Sequence, residues 1–207
     1  EVTAQTVQNV IRTLARPESY YREVTVTDIW GDGEADQGVT RAQVWVDGGW
    51  TMTRAVWPGG VIRCSIVGER SFWLWYEGGR EVLQGQADEY SADLEGQRMP
   101  TYEDVLALEP ESIADTGYVE REALPCIYVE TAPNAQGDWE RYWVSVDSGL
   151  LVCAERGREE QVLYRMTAYT VERPAPEGEA FALPDGTVLH TAGTSNPDPA
   201  PEAAPGR

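Results

Sequence analysis

The feature that most constrains the fold is a period of two in the apolar residues, which recurs along most of the chain. It defines runs at 20–30, 39–46, 50–57, 61–67 and 71–76, and again at 117–122, 126–132, 140–147, 150–156 and 159–174. Turn sequences such as Asp47-Gly48-Gly49 separate these runs, as they do in β-hairpins. The sequence therefore predicts about ten antiparallel strands joined as a meander.

Two segments instead show helical spacing. Residues 3–16 begin at Thr3 as a candidate N-cap, end before Pro17 and have apolar residues on one side, and a second helix near 101–109 begins with a Thr101/Asp104 capping box. A sheet of ten strands has to curl. We therefore expect an α+β fold over residues 1–190, a strongly curved antiparallel sheet that forms an incomplete barrel with the helices across its concave face. Residues 191–207, rich in Pro and Ala, are expected to be a disordered tail.

Charge and the scarcity of reactive side chains narrow the function classes. The formal net charge is −19, and no lysine is present, so nucleic acid is not an expected partner. The three cysteines lack metal-ligand spacing and are expected to be free thiols, and the acidic loop 31–38 departs from the EF-hand calcium pattern. The only histidine, His190, lies at the junction with the expected tail, where nothing would hold it against a nucleophile. The sequence thus predicts no enzyme, no metal site and no cofactor.

Strand alternation assigns the apolar residues to two faces. We expect the concave face to bind an apolar small molecule or a lipid through twelve side chains: Val24, Val26, Val44, Val46, Ile66, Phe72, Leu74, Tyr76, Tyr142, Val144, Tyr164 and Met166. The opposite face receives a set of tryptophans whose rings could meet a protein or glycan partner: Trp45, Trp73, Trp75 and Trp143. Burial of these rings under the helices or the tail is the alternative.

The order of elements resembles that of one extracytoplasmic superfamily. An N-terminal helix, the aromatic "SYY" and the strand "REVTVTDIW" open the chain, and "YWVSVDSGLLVCAERGREEQVLYRMTAYTVERPAPEGEAFALPDGTVL" closes it with a long final strand and F-x-x-P-x-G. This pattern, over roughly residues 3–190, is similar to the LolA/LolB lipoprotein carriers, the RseB-type stress sensors and the LppX-like lipoproteins. The resemblance implies an unclosed barrel that holds acyl chains without chemistry, and a secreted or lipid-anchored location. It also implies that an N-terminal signal or anchor segment, absent from this sequence, would supply any membrane association.

Two functions stay open at this point. The first is a carrier that binds a lipid or acyl chain in the concave cavity. The second is an RseB-like sensor or interaction module that binds a protein or glycan through an exposed Trp-rich face. An unfilled apolar cavity favours the first, and a filled core with exposed tryptophans favours the second.

Overall fold

Eleven strands of the computed structural model form one antiparallel sheet that is not closed into a barrel. The structure describes residues 2–33, 35–87 and 99–194. In these ranges the helices are α1 (Val7–Thr13), α2 (Tyr102–Leu106) and a 3₁₀ turn (Pro110–Ser112). The strands are β1 (Ser19–Ile29), β2 (Gln37–Asp47), β3 (Trp50–Val56), β4 (Ile62–Gly68), β5 (Ser71–Tyr76), β6 (Val82–Gln86), β7 (Ile113–Arg121), β8 (Leu124–Thr131), β9 (Asp138–Ser145), β10 (Leu151–Arg158), β11 (Gln161–Thr167), β12 (Ala180–Ala182) and β13 (Val188–Thr191).

The strand order confirms a meander within each half of the chain and the predicted α+β class, whereas the pairing of β1 with β11, which joins the two halves, was not predicted. The order is β6-β5-β4-β3-β2-β1-β11-β10-β9-β8-β7, so two runs of hairpins meet where β1 pairs with β11. That junction is short, because only Thr25–Asp28 of β1 pairs with β11. The expected strand 159–174 ends early, at Thr167. Strand β6 was not predicted, since its sequence VLQGQ is largely exposed and lacks a clear alternation.

Helices α1 and α2 pack on the concave face. The amide Nε2 of Gln8 in α1 donates to the carbonyl oxygens of Val105 (3.0 Å) and Leu108 (2.9 Å), which ties the two helices together. The predicted capping box of α2 is confirmed, since the Thr101 hydroxyl accepts from the Glu103 N–H and the Asp104 side chain accepts from the Thr101 N–H. The main apolar core lies between these helices and the sheet, and its fully buried side chains include Val7, Ile11, Val105, Ile127, Val129, Tyr142, Val144 and Met166. Among the described residues, no helix is long and apolar enough to cross a membrane.

A second core lies on the convex face, under the hairpin of β12 and β13. The hairpin inserts Phe181, whose side chain is 0% exposed, among the tryptophans and Ile66 of the sheet. Ala192 is buried beside it and its N–H donates to the Glu179 carbonyl (2.9 Å). The packed chain therefore extends past residue 190, which corrects the expected start of the tail for residues 191–194. The rest of the expected tail, 195–207, lies outside the described residues.

Candidate functional site: the concave cavity

A cavity of about 700 Å³ lies over the part of the concave face formed by β1 to β5. Its volume falls within the range of about 300–1,000 Å³ that small-molecule sites occupy. Helix α1 contacts β8 and α2, so the two helices fill the concave side over the second run of strands. Besides residues of β1 to β5 and Trp57, the described lining residues are Ala87, Met99–Thr101, Arg156 in β10 and Tyr164 in β11.

The middle of the cavity is apolar. Inward-facing residues of β1 and β2 form its floor, and they alternate with outward-facing residues as the pleat requires. Small polar hydroxyls from β2, β3 and β4 interrupt this surface without adding charge. The apolar and aromatic lining residues are Val24, Val26, Val44, Val46, Ala55, Trp57, Val67, Phe72 and Tyr164. The hydroxyl-bearing ones are Thr40, Thr51, Thr53 and Ser65.

One end of the cavity holds a buried cation. Arg22 lies in β1 in phase with Val24 and Val26, and only 7% of its surface is exposed. Its Nη1 donates to the Leu151 carbonyl (2.7 Å), across the gap left where the pairing of β1 with β11 stops. Its Nε has no hydrogen-bond partner among the described residues. Burial lowers the pKa of Arg22, with the nearby Tyr20 acting weakly in the opposite direction.

Among the described residues, the other charged groups of the lining are two arginines and one aspartate. Arg156 forms an ion pair with Glu140 (3.5 Å), and its guanidinium lies 5.2 Å from the Tyr164 ring. Arg63 lies 5.9 Å from the Trp57 ring. The carboxylate is that of Asp28, at the far end of β1 from Arg22. The described part of the lining is therefore net cationic, although the chain carries a net charge of −19.

The twelve residues expected to bind ligand fall into four groups. Six line the cavity: Val24, Val26, Val44, Val46, Phe72 and Tyr164. Three are packed in the core beneath the helices, away from the cavity: Tyr142, Val144 and Met166. Leu74 is half-buried and Tyr76 is 42% exposed, and both lie on the concave side of β5 outside the cavity lining.

Ile66 is the correction in this set. It belongs to the convex core, because its register partners are Met52 and Trp73, and paired residues of neighbouring strands share a face. The inward residues of β4 are instead Arg63, Ser65 and Val67.

The tryptophans occupy the face expected for them, but they are not free to meet a partner there. Trp73 and Trp75 are each 9% exposed beneath the C-terminal hairpin, and Trp45 is half-buried against the same cluster. Trp143 is 8% exposed in a separate cluster, where Arg121 lies 4.6 Å from its ring. Of the two alternatives, an exposed Trp-rich face and burial under the helices or the tail, burial is observed for Trp73 and Trp75, because the hairpin after residue 175 covers them.

His190 has a structural place in this cover. Its ring stacks on Trp50 (5.6 Å between centroids) and meets the edge of Phe181, and its Nε2 lies 2.7 Å from Asp47 Oδ2. The structure therefore gives His190 partners that its position at the junction with the expected tail did not indicate. Burial by itself would raise the pKa of the Asp47 carboxyl, but hydrogen bonds from Ser19, His190 and the Gly193 N–H together outweigh it and leave that pKa below its usual value.

The sequence contained a signal for the cavity arginine that the strand reading did not use. Arg22 occupies an inward position of β1, in phase with two buried valines, where a charged residue breaks the apolar alternation. No equivalent signal marks Arg63, because both sides of β4 carry apolar residues. In the described ranges, no three His, Cys, Asp or Glu side chains are grouped so as to hold a metal ion.

No protein-family model and no curated protein sequence matches the chain. Among solved structures, it is similar to MucB in complex with MucA(peri), at 16% identity and a TM-score of 0.41 over 84% of this chain and 57% of that one. It is also similar to the lipoprotein LppX of Mycobacterium tuberculosis (13% identity, TM-score 0.46, 83% of this chain and 94% of that one). A LolA superfamily protein from Nitrosomonas europaea matches at 12% identity and a TM-score of 0.37, over 85% and 96% of the two chains. This chain thus spans little more than half the length of the MucB chain, and all three likenesses concern the fold alone.

Proposed function

We propose that this protein is a non-catalytic binding protein that holds an apolar ligand, a lipid or an acyl chain, in its concave cavity. The observation that carries the proposal is the cavity of about 700 Å³ with its valine floor in β1 and β2. Apolar surface of this kind gains free energy when a ligand removes it from water, at about 25 cal/mol per Å². A secreted or lipid-anchored protein outside the cytoplasm, acting without a cofactor, is part of the same proposal.

The alternative of a partner bound through the tryptophan face has less support. That face would have to lose its hairpin cover, and Phe181 and His190 with it, before a partner could reach Trp73 or Trp75.

A cavity-filling variant tests the proposal. Thr53 lies in β3 and lines the cavity, so Thr53→Trp should fill part of the space. Thr25→Trp is the matched control, because Thr25 lies on the opposite side of β1 from the cavity-lining valines and is half-buried. The measurement is the fluorescence of N-phenyl-1-naphthylamine, a neutral apolar dye, titrated with each protein.

We expect micromolar binding of the dye to the wild type and to Thr25→Trp, and binding weaker by about tenfold or more in Thr53→Trp, since the added ring occupies ligand space. Absence of binding to the wild type, or equal binding to the two variants, would contradict the proposed cavity site.

A further inference from the structure

The arginine at one end of the cavity indicates which kind of head group the ligand carries. We propose that the ligand is an anionic amphiphile, with a carboxylate or phosphate group bound at Arg22 and an apolar chain on the valine floor of β1 and β2. This inference rests on the proposed function and adds the chemistry of the ligand's head group to it.

Arg22 carries the buried charge at this end of the cavity. It is more than nine-tenths buried, it lines the cavity, and its one hydrogen bond to a described residue is the bond to the Leu151 carbonyl. No carboxylate of the described residues lies within ion-pair distance of it. A buried charge without a counter-ion is unfavourable, and a guanidinium has the planar set of donors that matches a carboxylate or a phosphate. An anion beside Arg22 would offset that cost.

Opposite charges lie at the two ends of the inward side of β1. Arg22 and Asp28 both lie on the inward side of β1, six residues apart, which in an extended strand is about 20 Å. Val24 and Val26 lie between them. An amphiphile with its anionic group at Arg22 has apolar floor beneath its chain, whereas the reverse orientation would bring two negative charges together at Asp28. The charge pattern therefore fixes an orientation as well as a head group.

The other two arginines of the described lining have different surroundings from Arg22. Arg156 already has Glu140 and the Tyr142 hydroxyl beside it. Arg63 is half-buried, and its charge lies across the cavity on β4. Arg22 is thus the cation whose environment most needs a partner, and its substitution should have the largest effect on head-group preference.

The test uses four probes with the same twelve-carbon chain: dodecanoate, dodecyl phosphate, dodecanol and dodecyltrimethylammonium. Each displaces N-phenyl-1-naphthylamine from the full chain, from Arg22→Met and from Arg22→Gln. Arg158→Gln is the control, since Arg158 is an exposed arginine paired with Asp138 (2.6 Å) away from the cavity. Circular dichroism verifies that each variant folds, and the comparison of probes on the wild type does not depend on the variants.

We expect the wild type and Arg158→Gln to bind one or both anionic probes about tenfold or more tightly than dodecanol, as hydrogen bonds to a buried charge allow. Both Arg22 variants should lose that preference and bind the anionic probes no more tightly than they bind dodecanol. Comparison of the carboxylate with the phosphate shows which head group the site takes.

Two results would overturn the inference and leave the proposed function intact. One is equal binding of dodecanol and the anionic probes by the wild type. The other is an anion preference that survives in folded Arg22→Met or Arg22→Gln. Failure of all four probes to displace the dye, or of the dye to bind, would instead count against the proposed function itself.

Discussion

Loss of the Phe181 side chain should release the C-terminal hairpin from the convex face. Phe181 is 0% exposed and lies within the cluster of Ile66, Trp73 and Trp75, so Phe181→Ala removes a whole ring from a packed site. A buried aromatic side chain removes about 150–250 Å² from water, and replacement of Phe by Ala in a core costs about 3–5 kcal/mol. The other contacts of the hairpin are smaller, among them Leu183 and Leu189 against the same cluster and His190 against Trp50 and Asp47, so a loss of this size should weaken its docking before the sheet unfolds.

The measurements are the emission maximum of tryptophan fluorescence without denaturant and the midpoint of urea unfolding. We expect a shift of the emission to longer wavelength in Phe181→Ala, because the convex tryptophans become hydrated, and a lower urea midpoint. Val188→Ala is the control, since Val188 belongs to the same hairpin but is 53% exposed, and its effect should stay within about 0.5 kcal/mol. If Phe181→Ala gives the emission and midpoint of the wild type, the reasoning that the hairpin covers the tryptophans is refuted.

Two further predictions concern titratable groups. The folded-state pKa of Asp47 lies below its usual 3.8, so the ionised carboxylate stabilises the fold fully at neutral pH, and this stabilisation is lost as the pH falls through the folded pKa. Asp47→Asn should therefore lower the free energy of unfolding at pH 7 by about 1–2 kcal/mol. It should also reduce the fall in the urea midpoint between pH 5 and pH 3. A variant whose midpoint falls with pH as steeply as that of the wild type would contradict this role of Asp47. Burial raises the pKa of Cys64 and of Cys126 to about 11, and all three cysteines are buried and free. The native protein should therefore react slowly with a thiol-specific disulfide reagent at pH 8. After unfolding in guanidinium, the same reagent should count three thiols. A count of one thiol in the unfolded chain would show that a disulfide is present.

Local sequence was sufficient for most of the strands and for the order of neighbours within each half of the sheet. Glycine-rich turns and two-residue alternation specify hairpins between neighbours in sequence, and hairpins repeated along each half give a meander. The pairing of β1 with β11 instead joins segments that are far apart in sequence. The capping box at Thr101 was also readable, because it is a contact between residues three apart. Of the six expected ligand residues that lie in the cavity lining, four were identified for the same reason, since alternation in β1 and β2 has one clearly apolar side.

The sequence did not determine which side of a strand faces inward when both sides carry apolar residues. In β4, alternation separates Cys64 and Ile66 from Ser65 and Val67, but it does not tell which pair faces the helices. The answer came from the register with β5, which places Ile66 beside Trp73, and from the hairpin of residues 180–191, which covers that side from more than a hundred residues away.

Tertiary structure also decided which inward residues line space and which fill the core. Tyr142 and Val24 have the same alternation signal, yet one lies beneath the helices and the other borders the cavity, because α1 and α2 pack over the second run of strands. The environment of Arg22 was decided in the same way: its place in β1 is written in the sequence, but its burial without a counter-ion depends on how far β11 extends beside β1. Alternation is a local property of the backbone, whereas cover and charge partners come from segments that meet only in the folded chain.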